Sequence, residues 1–158
     1  MEMIPYQRQD AIEYAQHWAH QRNPIFQQAE PEGGDGASFF SQCLLAGGME
    51  PNPNRKAGWC CWENGCSPAF CCSKELSSFL LRNRGPGPFA EEVTLCRGEP
   101  GDLVQLWNAK GPFQSLMLLS IINEEPLVAA HSFDLWMRPL KDFSQSNWRF
   151  FHILGCRC

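Results

Sequence analysis

The order of hydrophobic patterns predicts an α+β fold, with N-terminal helices packed on an antiparallel β-sheet. Two observations carry this. The first half of the chain holds apolar residues at helical spacing, and the second half holds runs of period two or of unbroken apolarity, closed by short polar turns.

Ala11, Tyr14, Ala15, Trp18 and Ala19 make the stripe of a first helix within residues 6–22. Asp10 and Glu13 suit a capping box, and Asn23-Pro24 ends the segment. A polar loop over residues 27–34 leads to a second helix with both ends marked. Gly33-Gly34 breaks the chain, Asp35 stands where an N-cap carboxylate would, and Gly47-Gly48 supplies the left-handed exit. Phe39, Phe40, Cys43 and Leu44 form its apolar face. From Met49 to Cys72 the chain reads as loop, rich in proline, tryptophan and cysteine. Ser73 caps a third helix from Lys74 to about Asn83, and Gly85-Pro86-Gly87-Pro88 stops it. Strands are then predicted from Asp102 to Trp107, from Gln114 to Ile122, from Leu127 to His131 and from Trp148 to Leu154. The second of these is apolar enough for a central strand covered on both faces.

The 158 residues suit one domain, 1–158, able to bury a sizeable core. A net charge of −4 with scattered basic residues argues against general nucleic-acid binding. No membrane span and no signal pattern are seen, which points to a cytoplasmic chain. Nine cysteines cannot all pair internally, and reduced thiols are the default in that compartment. Cys60, Cys61, Cys66, Cys71 and Cys72 lie within thirteen positions. They could supply four thiolates to a structural zinc ion, form a disulfide or two, or remain free; Cys-x2-Cys knuckles are absent. No other cofactor is indicated.

Tyr6, Arg8, Ala11, Tyr14-Ala15, Asn23-Pro24, Gly34-Asp35, Phe39, Ser41-Gln42-Cys43-Leu44 and Ala46-Gly47-Gly48 are followed in order by Trp59, Ser67-Pro68, Gly101-Asp102, His131 and Arg138-Pro139-Leu140. This series resembles a bacterial putative amidase domain of the papain-like cysteine hydrolase superfamily. The resemblance implies a papain-like fold and chemistry on amides or peptides, including cell-wall fragments. In that family the second helix usually opens Gly-Asp-Cys-Thr-Asn-Phe. Its cysteine is the nucleophile, activated by helix-terminal amides and by a histidine that begins a strand reading His-Ser. Here Gly36 takes the place of the cysteine, Ala37 of the threonine and Ser38 of the asparagine, and the strand reads Gln114-Ser115-Leu116.

With both members of the pair replaced, the resemblance implies an inactive domain whose cleft binds an amide- or peptide-type ligand through Asp35, Gly36, Ser38, Gln114 and His131. Two other readings stay open: a working cysteine hydrolase pairing a thiol from the 60–72 segment with His131, and an interaction module stabilised by zinc. Cys43 reads as a buried structural thiol, and Ser38 as a local hydrogen-bonding group.

Overall fold

The computed structural model describes residues 1–29, 36–131 and 135–158. Its helices are α1 (Arg8–Trp18), α2 (Gly36–Ala46), α3 (Pro68–Cys71) and α4 (Ser73–Arg82). Its strands are β1 (Met3–Ile4), β2 (Cys61–Trp62), β3 (Gly65–Cys66), β4 (Gly87–Val93), β5 (Leu103–Asn108), β6 (Gly111–Ile122), β7 (Glu125–Ala130), β8 (Leu135–Pro139) and β9 (Asn147–Arg157). Short 3₁₀ turns occupy Pro24–Ala29, Leu95–Arg97 and Leu140–Phe143. Apart from β1 and the β2–β3 hairpin, the helices precede the strands of an antiparallel sheet, as the patterning predicts. Among the described residues no helix is long and apolar enough to cross a membrane.

Seven strands form the main sheet in the order β1-β9-β5-β6-β7-β8, with β4 on the other edge of β9. Alternation sorts the side chains onto its two faces. Leu103, Met117, Ala129, Phe151 and Ile153 meet Ala11, Phe39, Phe40, Leu44, Leu76 and Leu80 from the helices. Their sequence neighbours Val104, Leu118, Val128 and Phe150 form a second cluster with Leu106, Leu116, Ala130 and Leu140 on the opposite face. Strand β6 is therefore covered on both sides, which is why its sequence is almost unbroken apolar.

The N-terminus is fastened by one buried charge. Asp102 is fully buried and accepts from Arg8 Nη1 at 2.8 Å, Glu99 N at 2.8 Å and Ile153 N at 3.0 Å. His152 Nδ1 lies 2.9 Å from its second oxygen, and Arg8 Nη2 also donates to the Ile153 carbonyl at 2.8 Å. Beside it the Tyr6 hydroxyl donates to the Gly101 carbonyl at 2.9 Å. Two glycines make room for that ring. A Cβ at Gly47 would come within 2.5 Å of it, and Gly101, at φ +94°, would crowd it at 3.3 Å.

Several local expectations are corrected. Helix α1 starts at Arg8 with Gln7 as its cap and no side-chain capping bond, so the Asp10–Glu13 box does not form. The anchoring of Arg8 on Asp102 sets the start instead. The 49–72 stretch is not all loop, since it contains the β2–β3 hairpin and α3. Strands β1, β4 and β8 were not foreseen. Strand β4 carries Pro88 and two glutamates, a pattern tolerated because it pairs with β9 alone at a sheet edge. The Gly33-Gly34 break and the Asp35 cap fall outside the described residues.

Candidate functional site

Helix α2 packs on β6, and its first residues Gly36, Ala37 and Ser38 are all buried. Two sets of side-chain bonds fix its position. Asn23 Nδ2 donates to the Tyr14 hydroxyl at 3.0 Å, Tyr14 to Gln42 Oε1 at 2.7 Å, and Gln42 Nε2 to Ser38 Oγ at 3.1 Å. This chain ties α1 to α2 and engages the Ser38 hydroxyl as an acceptor. On another side Ser41 Oγ donates to the Phe70 carbonyl at 2.8 Å and accepts the Trp59 indole N–H at 2.9 Å.

On the face toward the helices the sheet carries a polar row. Gln105 and Ser115 are direct partners across β5 and β6. Gln105 Nε2 donates to Ser115 Oγ at 3.1 Å and to the Ser73 carbonyl at 2.7 Å, and the Ser73 and Ser115 hydroxyls are 2.8 Å apart. Gln105 is fully buried, and its Oε1 has no donor among the described residues. Met117 pairs with Ala129 at the end of the β6–β7 ladder, and His131 follows just past β7.

His131 is 1% exposed and lies face to face with Phe39 of α2, the ring centroids 4.2 Å apart. Its Nε2 is 2.8 Å from the Trp18 carbonyl and 2.6 Å from the Gln21 carbonyl. Carbonyls only accept, so Nε2 holds the proton and donates it to the end of α1. The imidazole works here as a strut between α1, α2 and β7.

The predicted site residues are therefore divided between two places. Gly36, Ser38 and His131 gather around α2. Gln114 pairs with Leu106 and alternates with Ser115, which puts it on the far face of the sheet, with its buried Nε2 lacking an acceptor among the described residues. Of these two neighbours in β6 it is Ser115 that lies on the helix-facing side, with Met117. Asp35 lies outside the described residues. The Gln105–Ser115–Ser73 cluster is not marked as a unit in the sequence. The period of two in β5 marks Gln105 as a residue sharing a face with Leu103. The bulge between Leu106 and Trp107, which sets which residue of β6 stands opposite, leaves no mark in the sequence.

The cysteines separate as well. Cys61 and Cys66 are disulfide-bonded across the β2–β3 hairpin, so the default of reduced thiols does not hold for this pair. Cys60 Sγ contacts the Asn54 carbonyl and Cys71 Sγ the Ser67 carbonyl, while Cys72 is exposed. With two of the five joined, three thiols remain in this segment. Among the described residues no three His, Cys, Asp or Glu side chains gather as metal ligands. In α2 Cys43 is fully buried, and burial pushes its thiol well above the ordinary range. A thiol held neutral in this way is a poor nucleophile.

Helices α2 and α4 both pack on the central antiparallel strand β6, and the polar row of Gln105 and Ser115 is bonded to Ser73 at the start of α4. The comparisons name the class. The family described as "Putative amidase domain" matches residues 5–154, and the chain belongs to it. Among curated proteins it is similar to the uncharacterized protein YhbB of Bacillus subtilis (strain 168), at 26% identity over 94% of this chain and 50% of that one. The chain thus spans about half the length of that relative. No solved structure matches.

Proposed function

We propose that this chain is a papain-like amidase-family domain that has lost amide hydrolysis and retains its scaffold to bind an amide- or peptide-type ligand. One observation carries the reading. Where the family's helix offers a thiol, α2 begins with Gly36, and its only cysteine, Cys43, is fully buried. The polar row on the helix-facing side of the sheet supports it. Gln105 and Ser115 are not bases near neutral pH, and the proton on His131 Nε2 is committed to two carbonyls. Without nucleophile or base the acyl-transfer mechanism has no first step.

The test is hydrolysis of amino-acid anilides and short peptides by the purified chain, before and after alkylation of its exposed thiols. No turnover above the uncatalysed rate is expected. Turnover abolished by alkylation would overturn the reading and favour a thiol acting from outside α2.

A further inference from the structure

A groove of about 570 Å³ lies between α4 and the β5–β6 hairpin. Its α4 wall is one helical stripe running from Lys74 through Ser77, Ser78 and Leu81 to Arg82. The sheet wall adds Lys110 and Arg149, with Trp107 between them. Four cations line it against one carboxylate, Glu92, in a chain whose net charge is −4. Glu92 Oε1 stands 3.8 Å from Arg149 Nη1. Lys74, Arg82 and Lys110 have no carboxylate partner among the described residues. Like charges gathered this way repel one another, and a bound anion relieves that repulsion.

We propose that this groove binds an extended acidic peptide segment. Three observations select that ligand. Lys74 and Arg82 are eight positions apart on α4, about 12 Å along the axis, which is the reach of roughly four extended residues. One compact anion would meet only one end. Leu81 and Pro112 add apolar surface between the cations, suited to side chains that alternate with carboxylates. The Arg149 guanidinium lies 3.8 Å over the Trp107 ring, so that face is already covered and offers no stacking platform for a nucleic-acid base. The inference shares with the proposed function only the peptide nature of the ligand, and it requires no hydrolysis.

The test titrates the full chain into a fluorescein-labelled peptide of alternating Glu and Leu, read by anisotropy. Binding should weaken as salt rises. The double variant Lys74→Glu/Lys110→Glu changes two exposed side chains, and a thermal melt checks that it folds; it should bind roughly tenfold more weakly or worse. The proposal is overturned by any of four results: no binding of the Glu-Leu peptide, equal binding of a Lys-Leu peptide, unchanged affinity in the folded double variant, or displacement by tripolyphosphate or oligothymidylate at lower concentration than by unlabelled peptide. Hydrolysis in the amide assay would sink the proposed function and leave this site standing. Loss of peptide binding in the variant, with no hydrolysis in either protein, upholds both.

Discussion

Replacing Asp102 with alanine should loosen the fold more than any change on the surface, because one fully buried carboxylate serves four groups. It accepts from Arg8 Nη1 and the amides of Glu99 and Ile153, and it faces His152 Nδ1 at 2.9 Å. Removing it strands the Ile153 amide and leaves the Arg8 guanidinium beside a cavity, although Arg8 keeps the carbonyls of Pro100 and Ile153. Breaking a buried ion pair by deleting one partner costs about 3–5 kcal/mol. The Arg8 side chain is 23% exposed, which allows some rescue by water and favours the lower end. At roughly 2–4 °C per kcal/mol for a chain of this size, the melting temperature should fall by about 6–15 °C. Urea unfolding followed by tryptophan fluorescence measures the change. The double change Arg8→Ala/Asp102→Ala should cost clearly less than the two single changes added together, since each removes the same bond. A loss below about 1 kcal/mol for Asp102→Ala, or additivity in the double variant, would refute the argument that this carboxylate fastens the N-terminus.

Further expectations rest on other parts of the structure. Burial pushes the Tyr14 phenol up to about 12 from its usual 10. The neutral phenol is therefore favoured in the fold, and its stabilisation is complete below about pH 10 and lost as pH rises through about 12. Phe at position 14 should flatten that part of the alkaline stability curve while costing about 1 kcal/mol at neutral pH for the lost bonds to Gln42 and Asn23. Alkylation of the unreduced, unfolded chain should add seven groups, because two of nine cysteines are joined; mass spectrometry counting nine would remove the Cys61–Cys66 bond. In the native chain Cys72, Cys96 and Cys158 should label first and Cys43 last. Ser41→Ala leaves the Trp59 indole N–H and the Phe70 carbonyl without this partner, and should cost about 1–3 kcal/mol in denaturant unfolding.

The fold was readable wherever burial is one-sided and local. The stripe of Ala11, Ala15 and Ala19 and the apolar face of α2 gave their helices, and the unbroken run in β6 gave a strand covered on both faces. Pieces specified by distant partners were not readable. Strand β1 has two residues and exists only because β9 offers an edge, and the β2–β3 hairpin sits in a segment with no periodic pattern. At the site, Gly36 and His131 could be singled out from the chain. The side that Gln114 and Ser115 take depends on the bulge in the β5–β6 ladder, which only pairing decides. The basic groove was missed for a similar reason. Lys74, Arg82, Lys110 and Arg149 are spread over more than seventy positions and converge only when α4 lies along the sheet.

The residues that carry the family resemblance sort mostly into one physical kind. Tyr6, Arg8 and Gly101-Asp102 fasten the N-terminus, and Tyr14, Asn23 and Gln42 tie α1 to α2. Ser41 and Trp59 tie α2 to the cysteine segment, and His131 joins α1, α2 and β7. Each satisfies a buried partner, so losing one leaves a donor or acceptor stranded at about 1–3 kcal/mol, a large share of the stability of a domain this size. A nucleophile at position 36 has no such role. Replacing one there would remove a reaction without stranding a structural partner of this kind, and Gly36 is buried at the start of α2. Under the proposed function, the same accounting explains how a chain could keep the struts of an amidase domain after its second helix had lost a thiol.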